Sequence, residues 1–306
     1  MSKALATSAS AQAVVVADYG KTTLVRYLGE VCPAPPRRKN LRPVVGDCAN
    51  LELDPTSNAL WIASLEPRRN ALYRADATKQ KCFAANLDAV FLVLAAEPAP
   101  LLDLLARTLV AAHAAQLPLH VILNKSDLPS FSKLDELRQM LDAAQIPHAS
   151  VSTRGETATH CVPTLAPLML GKRSLVLGQS GVGKSTIINL LVPDAKAQTR
   201  ELSDATLTGR HTTTSSYLYQ ADFGGSRYEV IDSPGFQNFG LTHVPPHQWV
   251  EAFATLTPEI QHCRFYNCTH LHEPSCGIIQ SLPHGKNAAW YRLLKGLHDG
   301  PRAFDT

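Results

Sequence analysis

The stretch LVLGQSGVGKSTIINLL, Leu175 to Leu191, decides the fold. An apolar run, a glycine-rich turn and a helix-forming stretch follow one another, which predicts a buried strand, a loop and a helix. Gly178 to Ser185 fits the pattern G-x-x-x-x-G-K-[ST]. Gly178, Gln179, Ser180, Gly181, Val182, Gly183, Lys184, Ser185 and Thr186 are therefore the candidate cradle for a nucleotide's phosphates. Glycine at 181 and 183 lets successive backbone N–H groups converge on phosphate oxygens, where a Cβ would intrude. The following helix adds the positive end of its dipole. In this pattern Lys184 reaches the β- and γ-phosphates, and Ser185 offers its hydroxyl to Mg²⁺.

Downstream, the apolar YEVI leads into Asp232-Ser233-Pro234-Gly235. Asp232 at a strand end is expected to hold Mg²⁺ through water, and the Gly235 N–H to meet the γ-phosphate. Between the two motifs lies TGRHTTTSS, Thr208 to Ser216, rich in Thr, Gly and charge. It fits a segment that orders around Mg²⁺ and the γ-phosphate. Thr213 is the expected metal ligand, with Thr212 as the alternative.

Upstream lies VILNKSDL, Val121 to Leu128. Guanine presents two donors, N1–H and N2–H₂, on one edge, and the Asp127 carboxylate offers two acceptors for them. Adenine lacks the matching donors. Asn124 can bind N7 or tie this loop to the phosphate loop, and the Lys125 stem can cover the base face. After HASV, Ser152 fits a small-residue loop, and the Thr153 N–H is expected to meet guanine O6. The order along the chain is thus base reader, second base loop, phosphate loop and then two switch segments. A parallel sheet tolerates this reversal, because every such site lies at the carboxyl ends of strands. The second switch then runs straight into the C-terminal module.

That module contains CRFYNCTHLHEPSC. Cys263, Cys268, His270 and Cys276 can close a tetrahedral Zn²⁺ site, with His262 and His272 as rivals for the fourth position. A site with no open position points to a structural ion. The other four cysteines, Cys32, Cys48, Cys82 and Cys161, are scattered, which suits a reducing compartment better than a disulfide framework.

Around these motifs the hydropathy pattern changes twice. Strand-like runs at roughly ten-residue spacing predict a small barrel over 1–84, of OB type or SH3-like type. From about Ala85, strands (LDAVFLVLAA, LHVILN, HASVS) alternate with helices (PLLDLLARTLVAAHAAQ, SKLDELRQMLDAAQ), the second capped by Ser132. The expected fold is multidomain: an N-terminal β-barrel over 1–84, a central α/β nucleotide-binding domain over 85–254 and a zinc-binding α module over 255–306, ending in the helix KNAAWYRLLKGLHD. Residues 1–84 hold 12 Lys and Arg against 7 Asp and Glu, which suggests a polyanionic partner for the barrel. No apolar run approaches the roughly 18 residues of a membrane helix. Ala9-Ser10-Ala11 is not preceded by an apolar stretch, so a frayed tail is expected there and not a secretory leader.

The combination NKSD, GQSGVGKST, GRHTTT, DSPG and CxxxxCTHxxEPxC behind a small barrel closely resembles the circularly permuted, small-subunit-dependent ribosomal GTPases of the RsgA/YjeQ family. RPVVGD, RRNALYR and AANLDAVFLV extend the resemblance over essentially the whole chain. It implies an OB-fold barrel, a permuted GTPase domain and a zinc module, one structural Zn²⁺, and Mg²⁺ with GTP. It implies a cytoplasmic monomer that hydrolyses GTP to GDP and assists late maturation of the 30S ribosomal subunit. It also implies stimulation by that particle and contact of the barrel and zinc module with 16S rRNA. Phe236 follows the D-x-P-G motif where many GTPases carry a water-orienting glutamine. His211 is the matching family candidate for positioning water, beside Lys184 and Thr213. Gly181 stands where potassium-activated GTPases carry asparagine, so potassium activation is not expected.

Overall fold

Short β-branched runs separated by turns build the N-terminal barrel from five strands: β1 (Ala11–Asp18), β2 (Thr23–Tyr27), β3 (Glu30–Pro33), β4 (Cys48–Leu53) and β5 (Leu60–Leu65). In the computed structural model the described residues are 11–20, 22–75, 80–193, 195, 216–233, 241–282 and 287–298. The pairing order is β3-β2-β1-β4-β5, and a parallel bridge from Pro36 to Ile62 joins the two ends. That is an OB-type barrel. Ala13, Val15, Val25, Ala34, Ala49, Leu51 and Ile62 fill it. The β1–β2 register shifts between Val15 and Ala17. Val16 and Ala17 therefore face the larger core of the next layer while Ala13 and Val15 face the barrel.

A hairpin, β6 (Ala71–Ala75) and β7 (Gln80–Ala85), follows, and its Leu72 and Phe83 belong to the larger core. Next come β8 (Ala89–Ala95), α1 (Leu102–Ala114), β9 (Leu119–Asn124), α2 (Asp135–Ala143) and β10 (His148–Ser150). Then α3 (Cys161–Met169), β11 (Arg173–Gly178), α4 (Lys184–Leu191), β12 (Tyr217–Phe223) and β13 (Ser226–Asp232) complete the central domain. Every residue of β8 is buried, as expected of a strand covered by helices on both faces. The sheet order is β10-β9-β8-β11-β13-β12, parallel throughout except for β12. Successive strands run one way from β8 and the other way from β11. The crevice at their carboxyl ends is the topological switch point where open α/β sheets bind ligands.

One local expectation fails. Ser132 does not cap a helix: Pro129–Leu134 forms a 3₁₀ segment, and the Ser132 hydroxyl donates to the Pro129 carbonyl. Proline at the first position and the tighter turn move the α-helical start to Asp135.

The C-terminal module carries α5 (Thr257–Ile260), α6 (Gly277–Ser281) and α7 (Ala288–His298). Trp290, Leu294 and Leu297 of α7 enter the larger core, and Trp290 meets Phe253 edge-on at 6.1 Å. Among the described residues no helix is long and apolar enough to cross a membrane.

The barrel is joined to the sheet by backbone and charge. β1 pairs with β12 at Ala17 and Tyr217. Glu229 of β13 accepts from Arg26 of the barrel and Arg173 of β11, both at 2.7 Å, and Arg26 also donates to the Leu218 carbonyl. The three side chains are largely shielded from water, so removing the shared carboxylate leaves two guanidinium groups without their counter-ion. Glu229→Ala is expected to lower stability by about 3 kcal/mol in urea denaturation. A change under about 0.5 kcal/mol, as for a surface pair, would contradict this.

Candidate nucleotide and metal sites

The carboxyl ends of β8, β9, β11 and β13 and the loop after β10 surround one cavity of about 740 Å³. Of the predicted residues, Lys125, Asp127, Thr153, Gly178, Ser180, Gly181, Gly183, Lys184, Ser185, Thr186 and Asp232 line it. The two distant stretches therefore meet at one hollow. Its size suits a nucleotide.

Asn124 joins the two halves. Its side chain is fully buried at the end of β9, and Nδ2 donates to the Val182 carbonyl at 2.8 Å. Of the two roles open to Asn124, the structure displays the tie between the loops. Gly183 sits at φ +93°, and a Cβ there would overlap Asn124 Nδ2. Glycine is thus needed at 183 both for its backbone angle and for this close approach. Lys125 also bridges, its ammonium donating to the carbonyls of Glu97 and Gly181 at 2.6 and 2.8 Å. Its stem is held beside the phosphate loop by both bonds.

Ser152 and Asp127 form a second bond across loops. The buried Ser152 hydroxyl donates to Asp127 Oδ1 at 2.6 Å. This bond leads the causes that hold the Asp127 carboxyl below its usual value. The carboxylate is ionised at neutral pH and exposed to an incoming ligand. Ser152 Oγ also accepts from the Arg154 N–H, which fixes the turn carrying Thr153.

At the other end of the cavity, Lys184 is ion-paired with Asp232. Ser185 and Thr186 are exposed at the helix start. A hydroxyl and a carboxylate beside a lysine form a hard oxygen donor set that suits Mg²⁺ accompanying phosphates. Val182 faces the core, fully buried. Gln179 turns to α1, its Oε1 accepting from the Leu101 N–H at 3.3 Å. These two hold the loop in place and do not line the cavity. His211, Thr212, Thr213, Gly235 and Phe236 lie outside the described residues, as does most of the Thr208–Ser216 segment.

Glu97, Leu128 and Arg154 also line the cavity, and the sequence reading missed them. Their signal was positional. Glu97 ends the β8 run, while Leu128 and Arg154 immediately follow the base-reading motif and Thr153.

Cys263, Cys268, His270 and Cys276 converge, with all ligand atoms within 4.8 Å of one another. His270 Nδ1 lies 3.5 Å from both Cys263 Sγ and Cys276 Sγ, and those sulfurs are 4.0 Å apart. A tetrahedral zinc with Zn–S about 2.3 Å and Zn–N about 2.0 Å needs edges of about 3.5 and 3.8 Å. The donor set fits. His262 and His272 are exposed and stay outside the cluster. Burial lowers the His270 pKa, which favours the neutral imidazole a metal needs. Burial raises the Cys268 and Cys276 thiols, and a bound cation would favour their thiolates.

Glu273 shapes the ligand loop by accepting from the backbone N–H groups of Thr269, Leu271 and His272 and from the Thr269 hydroxyl. Burial alone would raise its pKa, but the bonds from Thr269 hold it down at about 2.

Comparison with known proteins agrees with this geometry. The RsgA GTPase family model matches residues 65–242. The small ribosomal subunit biogenesis GTPase RsgA of Bordetella pertussis is 41% identical over 297 residues, covering 95% of this chain and 97% of that protein. The protein of the same name from Burkholderia mallei is 43% identical over 285 residues, covering 91% and 88%. The crystal structure of YjeQ from Thermotoga maritima superposes with a TM-score of 0.70 at 26% identity, covering 96% of this chain and all of that one. YloQ, described as a circularly permuted GTPase, shares the fold with a TM-score of 0.66 at 20% identity, covering 96% and 97%.

Elemental analysis tests the metal site. One zinc per chain is expected in the wild type and almost none in Cys268→Ser, whose melting temperature should also fall. An unchanged zinc content in Cys268→Ser would remove the cluster from consideration.

Proposed function

The chain belongs to the RsgA GTPase family, and on that footing we propose that it is a GTP hydrolase of the cytoplasm that acts on the small ribosomal subunit. In this reading it binds the 30S particle through 16S rRNA and assists its late maturation. The particle stimulates hydrolysis of GTP to GDP and phosphate. The observation that carries the nucleotide assignment is the Asn124–Val182 bond, which unites the Asp127 loop and the phosphate loop around one cavity. The names of the relatives support the choice of the small subunit as partner.

Asp127 selects guanine, because two acceptor oxygens match two donors on its edge. Ser152 keeps that carboxylate oriented and ionised, and the Thr153 N–H faces O6. Lys125 and Asn124 hold the base loop against the phosphates. Gly178, Ser180, Gly181, Gly183 and Thr186 offer backbone amides to the phosphate chain. Lys184 exchanges its Asp232 partner for phosphate oxygens when nucleotide enters, which frees Asp232 to face the metal side. Ser185, Thr213 and Asp232 would hold Mg²⁺, which neutralises charge building on the phosphates. Gly235 supplies an N–H for the γ-phosphate. His211 positions the attacking water, a role that the apolar Phe236 cannot take. The zinc ligands brace the C-terminal module and take no part in the chemistry.

We also read the chain as three functional parts, 1–84, 85–254 and 255–306, acting as a monomer. The outer two meet RNA, and the central one hydrolyses GTP.

Turnover measured with and without purified small subunits tests the proposal. Stimulation by small subunits, and none by large subunits, is expected; GTPases activated in trans gain up to about 10³- to 10⁵-fold. Equal turnover in all three conditions would contradict it.

A further inference from the structure

Between two of the clustered cysteines runs Arg264-Phe265-Tyr266-Asn267. The Cys268 N–H donates to the Phe265 carbonyl at 3.3 Å, closing a tight turn with Tyr266 near its apex. The Arg264 N–H donates to the Ser275 carbonyl, also at 3.3 Å, so the base of the turn is pinned as well. Turn apices favour small or polar residues such as Gly, Asn, Asp and Ser. Here the apex carries a tyrosine that is 98% exposed, next to a phenylalanine that is 42% exposed. The Arg264 guanidinium lies over the Phe265 ring, 5.7 Å from its centroid. Tyr266 buries almost nothing, so its ring contributes almost nothing to the core.

The surroundings narrow the occupant. Among the described residues of 255–298, Phe265 and Tyr266 are the only exposed large apolar side chains. Among the described residues, then, no further large apolar side chain is exposed beside these two to build the broad patch a protein partner would use. What remains is two flat rings and one guanidinium, the set on which unstacked nucleobases lie. The nearby carboxylate of Glu273 is turned inward onto backbone N–H groups. His262 and His272 are exposed, and Arg264 supplies positive charge. Cysteines of the metal cluster fix both ends of the segment, which keeps the ordering cost of binding small.

We propose that Tyr266, backed by Phe265 and Arg264, is a stacking platform for one unpaired base of an RNA strand. This rests on the reading that the chain works on an RNA-containing particle. Metal binding then has a direct use, since it holds the platform rigid.

The test is the affinity of full-length, zinc-loaded protein for purified small ribosomal subunits, with base-specific chemical probing of the RNA. Tyr266→Ala should bind roughly five- to hundred-fold more weakly, the range of base–aromatic stacking. Its salt dependence should match the wild type, since no phosphate contact is lost. Tyr266→Phe and Tyr266→Trp should retain binding, whereas Tyr266→Leu should fail as Ala does. One unpaired base shielded by the wild type should become reactive in the Ala and Leu variants. If Leu binds as well as Tyr, the ring plane is irrelevant and an apolar protein contact replaces the platform. If Ala binds like the wild type with its zinc retained, the platform is overturned while the function stands. Failure of the wild type to bind the particle would overturn both. If the Ala variant loses zinc, the Phe and Leu pair decides.

Discussion

A single buried amide holds the molecule's chemistry together. Asn124 Nδ2 donates to the Val182 carbonyl across 58 residues of sequence. The bond is made in a fully buried setting, where water does not compete with it. It can form only because residue 183 is glycine, since any side chain there would occupy the space of the amide. The Asp127 loop and the Gly178–Ser185 loop are thus tied together. Lys125 doubles the link through the carbonyls of Glu97 and Gly181. The spacing between the two loops is set by the fold, which would lower the ordering cost of a ligand that spans them.

That unit explains why the order of motifs along the chain can be reversed without loss. The sheet places β8 and β9 on one side of β11 and β13 on the other. All four point their carboxyl ends at the same cavity. What the reversal alters is the wiring of the remaining segments. The stretch read as the first switch runs directly into β12, whose Tyr217 pairs with Ala17 of the barrel. Asp232 ends β13, and Glu229 on the same strand holds Arg26 of the barrel. The chain then continues to the C-terminal module, whose α7 packs into the larger core. Tyr217 also pairs with Asp232, so the barrel contact lies next to the Lys184 end of the cavity.

The parts legible in the sequence were those where backbone needs are encoded in residue type. Glycine at 181 and 183, the buried run of β8 and the cysteine spacing each have few physical alternatives. The histidine that joins the cysteine cluster was ambiguous among three. It was decided by a turn with His270 at positive φ, which spacing does not encode. The barrel type was open until the parallel bridge between Pro36 and Ile62 closed it. Arg154 and Glu97 escaped notice because loop residues earn a place at a site only through three-dimensional proximity. Ser132 misled because a hydroxyl before a helical pattern reads as a cap, while the preceding Pro129 had already begun a tighter turn. Gln179 and Val182 of the phosphate motif turn their side chains away from the cavity, one to α1 and the other into the core.

The most direct measurement is equilibrium displacement of a fluorescent guanine nucleotide from wild-type protein and from Asp127→Asn, by GTP, ATP and xanthosine triphosphate. If the two loops grip one guanosine triphosphate, GTP displaces the probe from the wild type and ATP is at least about a hundred-fold weaker, as when a site's polar groups are left unmatched. In Asp127→Asn the order shifts toward xanthosine triphosphate, whose extra carbonyl accepts from the new amide. Equal competition by ATP and GTP in the wild type, or a base preference untouched by the substitution, would contradict the account.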